Sequence, residues 1–298
     1  MSQSNRLEGD AAAVGQHYDR CAEAEKARLE QFCPVEYAIT QRYLARVVPE
    51  GCHVAEIGVG AGHYSEFLAR RGCRLDLVDV SARLLKAAQG RLSNAGLAER
   101  VTSVHHASAT DLPLADASAD AILLMGPLYH LRDVGERERV VQEARRVVKP
   151  GGVVAAAGIN RMTFLRDMFR SPDAFSATFF GEDFADAARS SRPDLGLEGF
   201  IAQFIATGTL DPRRAPPIGY AHLTTIAEFR ELLTAGFEEI ALLGTESFTS
   251  AWQDQWKSKS AADMAGWLDI VEATGRMTEG LAYSDHFLFI GRRTGRAA

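Results

Sequence analysis

Apolar and polar positions change their period several times along the chain, and each change marks an element. Between residues 13 and 48 apolar residues recur at helical spacing. The stretch AVGQHYDRCAEAEKARLEQF is followed by PVEYAITQRYLARVV, which Pro34 opens as a first helical turn. Pro49 and Gly51 close it. From Gly51 onward, short apolar runs alternate with helix-period segments. HVAEIG, RLDLVDV, RVTSVHH, ADAILLMG and GVVAAAGI have the length and composition of buried strands. HYSEFLARRG, SARLLKAAQGRLSNAG and VGERERVVQEARRVV carry the apolar spacing of helices. Ser81 is placed to cap the second of these helices, and Gly72 and Gly96 stop the first two. Lys149-Pro150-Gly151-Gly152 breaks the third. This alternation predicts an α/β fold, a mostly parallel sheet with helices on both faces.

The alternation lapses after Arg161. It returns with the helix TTIAEFRELLTAGF, the strand EEIALLG and a last strand, DHFLFIGRR. The expected organisation is a helical segment over 1–50, a core over 51–161 and 222–298, and an insertion over 162–221. Residues 1 to about 12 are expected to be disordered, and 248–280 to be irregular or helical. Eight of the fifteen phenylalanines lie between Phe164 and Phe204, whereas 51–160 contains only Phe67. Trp252, Trp256 and Trp267 mark the second irregular stretch. A phenylalanine-rich excursion reads as a satellite core, as a cap over a pocket, or as both.

Composition narrows the function classes. The 298 residues are 46% hydrophobic and carry a net charge of −6, enough apolar material for a large core and no basic run. That balance argues against nucleic acid as an obligatory partner. Cys21, Cys33, Cys52 and Cys73 form no CxxC pair and no zinc-ligand spacing with histidine, so they read as free thiols in a reducing compartment. The opening MSQSNRLEGD lacks the apolar run of a signal peptide, and no run reaches bilayer length. The expectation is a cytoplasmic chain with no membrane partner; a homodimer stays open.

The chemistry begins at AEIGVGAGHY. Gly58, Gly60 and Gly62 follow the first strand and precede a helix, where backbone N–H groups face a ligand. Their GxGxG spacing is not the GxGxxG of dinucleotide sites. Glu56, two residues before Gly58, repels phosphate and suits a ligand with a positive end.

Together with Asp79 at the end of the second strand, Asp111-Leu112-Pro113 after the third and Lys149-Pro150-Gly151-Gly152 before the fifth, this turn resembles that of the class I S-adenosylmethionine-dependent methyltransferases, of bacterial small-molecule type. The resemblance is close over 51–160 and looser over 222–291. It implies a Rossmann-like, doubly wound, seven-stranded sheet with an antiparallel last strand, an N-terminal helical lid over 1–50 and an α-rich cap over 162–221. It implies S-adenosyl-L-methionine as cofactor and S-adenosyl-L-homocysteine as product. Gly58, Gly60 and Gly62 would approach the methionine and ribose portions and Glu56 the positive end. Asp79 would accept the ribose hydroxyls, and Val80 would flank the adenine. Relatives often read Asp-Ala-x-Asp-Leu-Pro where this chain reads SATDLP. Ser108 and the backbone of Ala109 therefore stand at the adenine amino group, with a weaker acceptor than a carboxylate. Asp111 is a ligand or a turn acid.

The fourth strand ends in LLMGPLYHL, residues 123–131, and the carboxyl ends of strands are where such sheets bind ligands. The Met125 backbone would meet the cofactor's amino acid part, and Tyr129 and His130 follow. His130 is a candidate general base near neutral pH, or a loop-fixing residue. Tyr18, in GQHYDR, resembles the tyrosine of a lid that closes on the cofactor. Tyr64 is a candidate for the cofactor carboxylate, His63 a weaker one. His222 and His286 read as structural, and no metal cluster stands out. The implied reaction is methylation of a nitrogen or oxygen of a small organic molecule, for which a phenylalanine-rich cap is suited. The rival readings are methylation of tRNA or protein, and a non-catalytic S-adenosylmethionine-binding subunit.

Overall fold

The computed structural model describes residues 7, 9–170, 197–210 and 221–295. Residues 1–6 and 8 of the expected disordered start lie outside the described residues, as do 171–196 and 211–220 of the expected cap. Three N-terminal helices, α1 (Gly9–Glu25), α2 (Arg28–Gln31) and α3 (Pro34–Val47), precede β1 (His53–Ile57), α4 (His63–Arg70), β2 (Arg74–Asp79), α5 (Ala82–Asn94) and β3 (Val101–His106). Then come β4 (Ala119–Leu124), a 3-10 turn over Pro127–Tyr129, α6 (Val134–Val147), β5 (Val148–Ile159), α7 (Arg161–Arg170) and α8 (Leu197–Thr207). The short strands β6 (Thr209–Leu210) and β7 (Ala221–His222) lead into α9 (Ile226–Thr234) and β8 (Glu238–Gly244). A 3-10 stretch over Ser247–Ser258, α10 (Ala261–Gly275), α11 (Thr278–Tyr283) and β9 (His286–Arg292) complete the chain.

The main sheet has seven strands in the order β3-β2-β1-β4-β5-β9-β8. β1 to β5 are parallel, and β9 runs antiparallel between β5 and β8. Strand order reverses between β1 and β4, and a crevice opens at the carboxyl end of such a pair. Side chains alternate between two cores. Leu77, Leu123, Leu288 and Ile290 pack with Ile39 and Leu44 of α3 and Leu68 of α4. Val78, Ile122, Leu124, Phe287 and Phe289 pack on the other face with Val140 of α6 and Phe229 of α9. Full burial of each such side chain contributes roughly 1.5–3 kcal/mol. The caps sit where the pattern places them. Ser81 Oγ accepts the Leu84 N–H at 3.1 Å, and Thr225 forms a reciprocal capping box with Glu228.

Two boundaries differ from expectation. Residues 9–12 are helical rather than disordered, because Asp10 takes two hydrogen bonds from the Arg132 guanidinium at 3.1 and 2.9 Å. β5 begins at Val148, so the Pro-Gly-Gly run is strand; Gly151 donates to Arg293 O at 2.7 Å. The excursion after β5 leaves and returns at one point. Arg161 N donates to Thr224 O and Thr224 N to Ile159 O. The buried Arg161 guanidinium reaches Leu223 O, Ile205 O and Glu228. Phe164 and Phe204, both buried, pack with tilted rings whose centroids are 4.6 Å apart. No helix among the described residues is long and apolar enough to cross a membrane.

Candidate active site

The glycine turn connects β1 to α4, and its glycines do different things. Gly60, at φ +54°, faces open space: a Cβ there would meet nothing within 4 Å. Gly62, at φ +81°, lies against α5, where a Cβ would fall 2.8 Å from the Ala88 Cα. Gly62 lets two helices close together and is not on the cavity wall.

A cavity of about 100 Å³ lies at the carboxyl ends of β1, β2 and β4. Gly58, Gly60, Asp79 and Val80 form one side, Ser108 and Ala109 another. Met125, Tyr129 and His130 line the side after β4, and Tyr18 of α1 faces them. An adjoining cavity of about 50 Å³ shares Gly58, Gly60, Arg28 and Met125 with it and adds Glu36, His63 and Tyr64. The structure therefore brings most of the expected residues to one place.

Asp79 is buried and already engaged. Oδ2 accepts the Gly60 N–H at 3.0 Å and Oδ1 the Ser81 N–H at 2.8 Å. Burial pushes its carboxyl up to about 6, against the pull of these amides. Ser108 Oγ is 2.8 Å from Thr110 Oγ1 and accepts the Thr110 N–H, which fixes the loop after β3. Asp111 is exposed and off the wall, which fits the turn-acid reading.

Glu56 departs most from expectation. It lies wholly buried and lines neither cavity. Ser65 Oγ donates to its Oε2 at 2.5 Å, while Oε1 is buried without a partner. Burial pushes this carboxyl up to about 8, only partly offset by Ser65. Burial thus disfavours a negative charge at this carboxyl. The alternation along β1 explains this: Glu56 shares a face with Val54 and points beneath the turn toward α4.

α1 closes the cavity from above. A Cβ on Gly15 would fall 2.3 Å from Val80 O, so only glycine lets the helix lie on that strand end. Asp19 Oδ1 accepts the Ser81 Oγ–H at 2.6 Å and the Arg83 N–H at 3.1 Å. The Tyr18 hydroxyl is 2.9 Å from His130 Nε2, with the rings edge-on. Burial pushes the Tyr18 phenol well above its ordinary value. Tyr129 packs on the His130 ring at 4.7 Å and donates from its own hydroxyl to Met125 O at 3.1 Å.

Three charged residues escaped the sequence reading. Arg28 and Glu25 line both cavities, with Arg28 Nε donating to Glu25 Oε2 at 2.8 Å, and Glu36 lines the second. Charged residues are frequent along that helical segment, and no spacing singles these out. His63 is turned to Arg91 and Glu30, and burial together with Arg91 holds it down to about 4. His222 lies in a separate groove beside Glu228, likewise held down to about 4 by burial.

S-adenosylmethionine has an adenosine end and a zwitterionic amino acid end, and the residues present suit both. The first cavity offers a buried carboxylate beside the apolar Val80 and Leu84. The adjoining one offers a guanidinium, a carboxylate and glycine backbone open to close approach.

Comparison with known proteins agrees with this geometry. A methyltransferase domain family matches residues 55–156. The methyltransferase GfsG of Streptomyces halstedii is 29% identical over 175 residues, covering 53% of this chain and 62% of that protein. A dimethylglycine N-methyltransferase of Parasynechococcus marenigrum is 38% identical over 111 residues, 37% of this chain and 38% of that one. The chain thus spans less than two thirds of these relatives. The crystal structure of the [4+2]-cyclase SpnF superposes with a TM-score of 0.56 at 18% identity, over 98% of this chain and 99% of that one. That likeness speaks for the fold alone.

Proposed function

We propose that the chain, whose residues 55–156 match a methyltransferase domain family, is a class I S-adenosylmethionine-dependent methyltransferase that transfers the cofactor's methyl group to a nitrogen or oxygen of a small organic molecule. The Tyr18–His130 pair on the cavity wall after β4 carries this reading. The cofactor, when bound, supplies a methyl group on a sulfonium, and displacement there needs an aligned nucleophile and little water. Asp79 would hold the ribose, Val80, Ser108 and Ala109 the adenine. Gly58, Gly60, Met125 and Tyr64 would border the amino acid end, with Arg28 facing its carboxylate. His130, fixed by Tyr18 and Tyr129, would receive the acceptor's proton once the acceptor displaces the Tyr18 hydroxyl from Nε2. Relatives with small-molecule names, the dimethylglycine enzyme among them, support a small acceptor.

The test is incubation of the purified chain with methyl-labelled cofactor and fractionated metabolites. Label is expected in a small molecule, with equimolar S-adenosylhomocysteine. Label confined to RNA or protein, or no turnover with any fraction, overturns the proposal. His130→Ala is expected to lower kcat by about 100-fold or more, the range of general-base effects. Its affinity for S-adenosylhomocysteine should stay within a few-fold of wild type. An unchanged kcat removes the base role.

A further inference from the structure

Glu36, Glu246 and His286 meet from α3, the turn after β8 and the start of β9. Methyl transfer as proposed gives none of them a chemical step, although Glu36 also borders the cavity at the cofactor's amino acid end. His286 Nδ1 is 2.5 Å from Glu246 Oε1 and 3.7 Å from Glu36 Oε2. One nitrogen and two carboxylate oxygens thus lie within 4.8 Å of one another. Glu246 is 1% exposed and Glu36 8%. Glu246 is held from behind: its Oε2 accepts the Ser284 hydroxyl at 2.6 Å, the His286 N–H at 3.0 Å and the Thr245 hydroxyl at 3.1 Å. That leaves Oε1 directed at the centre of the cluster. Glu36 Oε2, on the opposite side, is buried and makes no hydrogen bond.

We propose that these three residues bind one divalent first-row transition cation. A buried carboxylate oxygen without a donor is costly, and Glu36 Oε2 meets His286 only as an ion-pair partner at 3.7 Å, with no hydrogen bond. A divalent cation binds by displacing the proton from His286 Nδ1, after which it balances the −2 charge of two carboxylates and a neutral imidazole. One nitrogen with two oxygens suits Mn²⁺, Fe²⁺ or Zn²⁺ better than the all-oxygen cations Mg²⁺ and Ca²⁺. The bonds from Ser284, Thr245 and the His286 amide orient Glu246 as outer-shell partners orient metal ligands. Glu36 also lines the cavity beside Met125 and Ala157, so the cation keeps one side toward that space. The inference stands independently of the acceptor's identity and of methyl transfer.

The full chain, stripped with chelator, is titrated with Mn²⁺ followed by electron paramagnetic resonance and with Zn²⁺ by calorimetry. One ion per chain with micromolar or tighter affinity is expected, with a rise in melting temperature on loading. Glu36→Gln should weaken binding by about tenfold or more and abolish the rise. His286→Gln, on a different element, should do the same, which covers the case that one variant folds poorly. Zinc-edge anomalous diffraction should place the ion within bonding distance of all three residues. No saturable binding up to millimolar metal overturns the proposal, as does wild-type affinity in both variants.

Discussion

Gly60 and Gly62 stand two residues apart and answer to different neighbours. Gly60→Ala sets a methyl into the cavity at a positive φ, so affinity for S-adenosylhomocysteine should fall by about tenfold or more while stability drops by about 1 kcal/mol. Gly62→Ala drives a methyl into Ala88 and should cost about 1–3 kcal/mol in urea unfolding. A Gly62→Ala chain that unfolds at the wild-type midpoint would contradict the packing role. Both glycines were visible in the sequence; which one meets α5 and which meets the ligand depends on α5, more than twenty residues away. Glu56 teaches the same point. Its acidity was legible, its direction was not, because direction follows from the pleat of β1 and the position of Ser65. Its carboxyl, raised to about 8, keeps a proton that the unfolded chain releases near its usual pKa of about 4.3. Its stabilising contribution is therefore full at low pH and declines as pH rises toward 8. Asp79, raised to about 6, acts in the same direction; His63 and His222, lowered to about 4, act oppositely between about 4 and 6.5. Between pH 6.5 and 8, wild type should lose stability relative to Glu56→Gln, a difference that isolates Glu56 from other titrating groups. Parallel midpoints across that window would contradict the raised carboxyl.

Elements were legible where their signals are local. Ser81 and Thr225 cap helices through neighbours three residues on, and the strand runs separate cleanly into two faces. The start of α1 was not legible, because Asp10 is held by Arg132 across the fold. Arg161 is a similar case. It joins the end of β5 to α8, to Leu223 and to the first turn of α9. Arg161→Met should strip donors from buried carbonyls and cost about 2–4 kcal/mol, read as a shift in the urea midpoint without loss of slope. A shift below 0.5 kcal/mol, the scale of ordinary surface substitutions at roughly that size, would show that the junction does not depend on it.

At the scale of the molecule, a mostly parallel sheet followed from alternating strands and helices, and its seven strands with an antiparallel last one from the family resemblance, whereas the charged residues the helices bring to the site did not. Arg28, Glu36, Glu246 and His286 come together only through the packing of α1–α3 on the sheet. No described residue of 162–221 lines either cavity of the candidate site. Replacing 162–221 by a short linker is therefore expected to leave S-adenosylhomocysteine affinity within a few-fold, since the ends of that segment already meet at Arg161 and Thr224. A loss of cofactor binding in a folded deletion chain would assign the segment to the cofactor site. The fold itself does not choose the reaction, as its likeness to a cyclase makes plain.

The contact of Gly15 on Val80, with Asp19 on Ser81 and Tyr18 on His130, carries a kinetic meaning. A helix fastened at three points over the crevice is a bolt on the door as well as a wall of the room. On the proposed function, the helix has to be drawn back for cofactor to enter or leave, and loosening the Asp19–Ser81 fastening would quicken that exchange even as it weakens the grip.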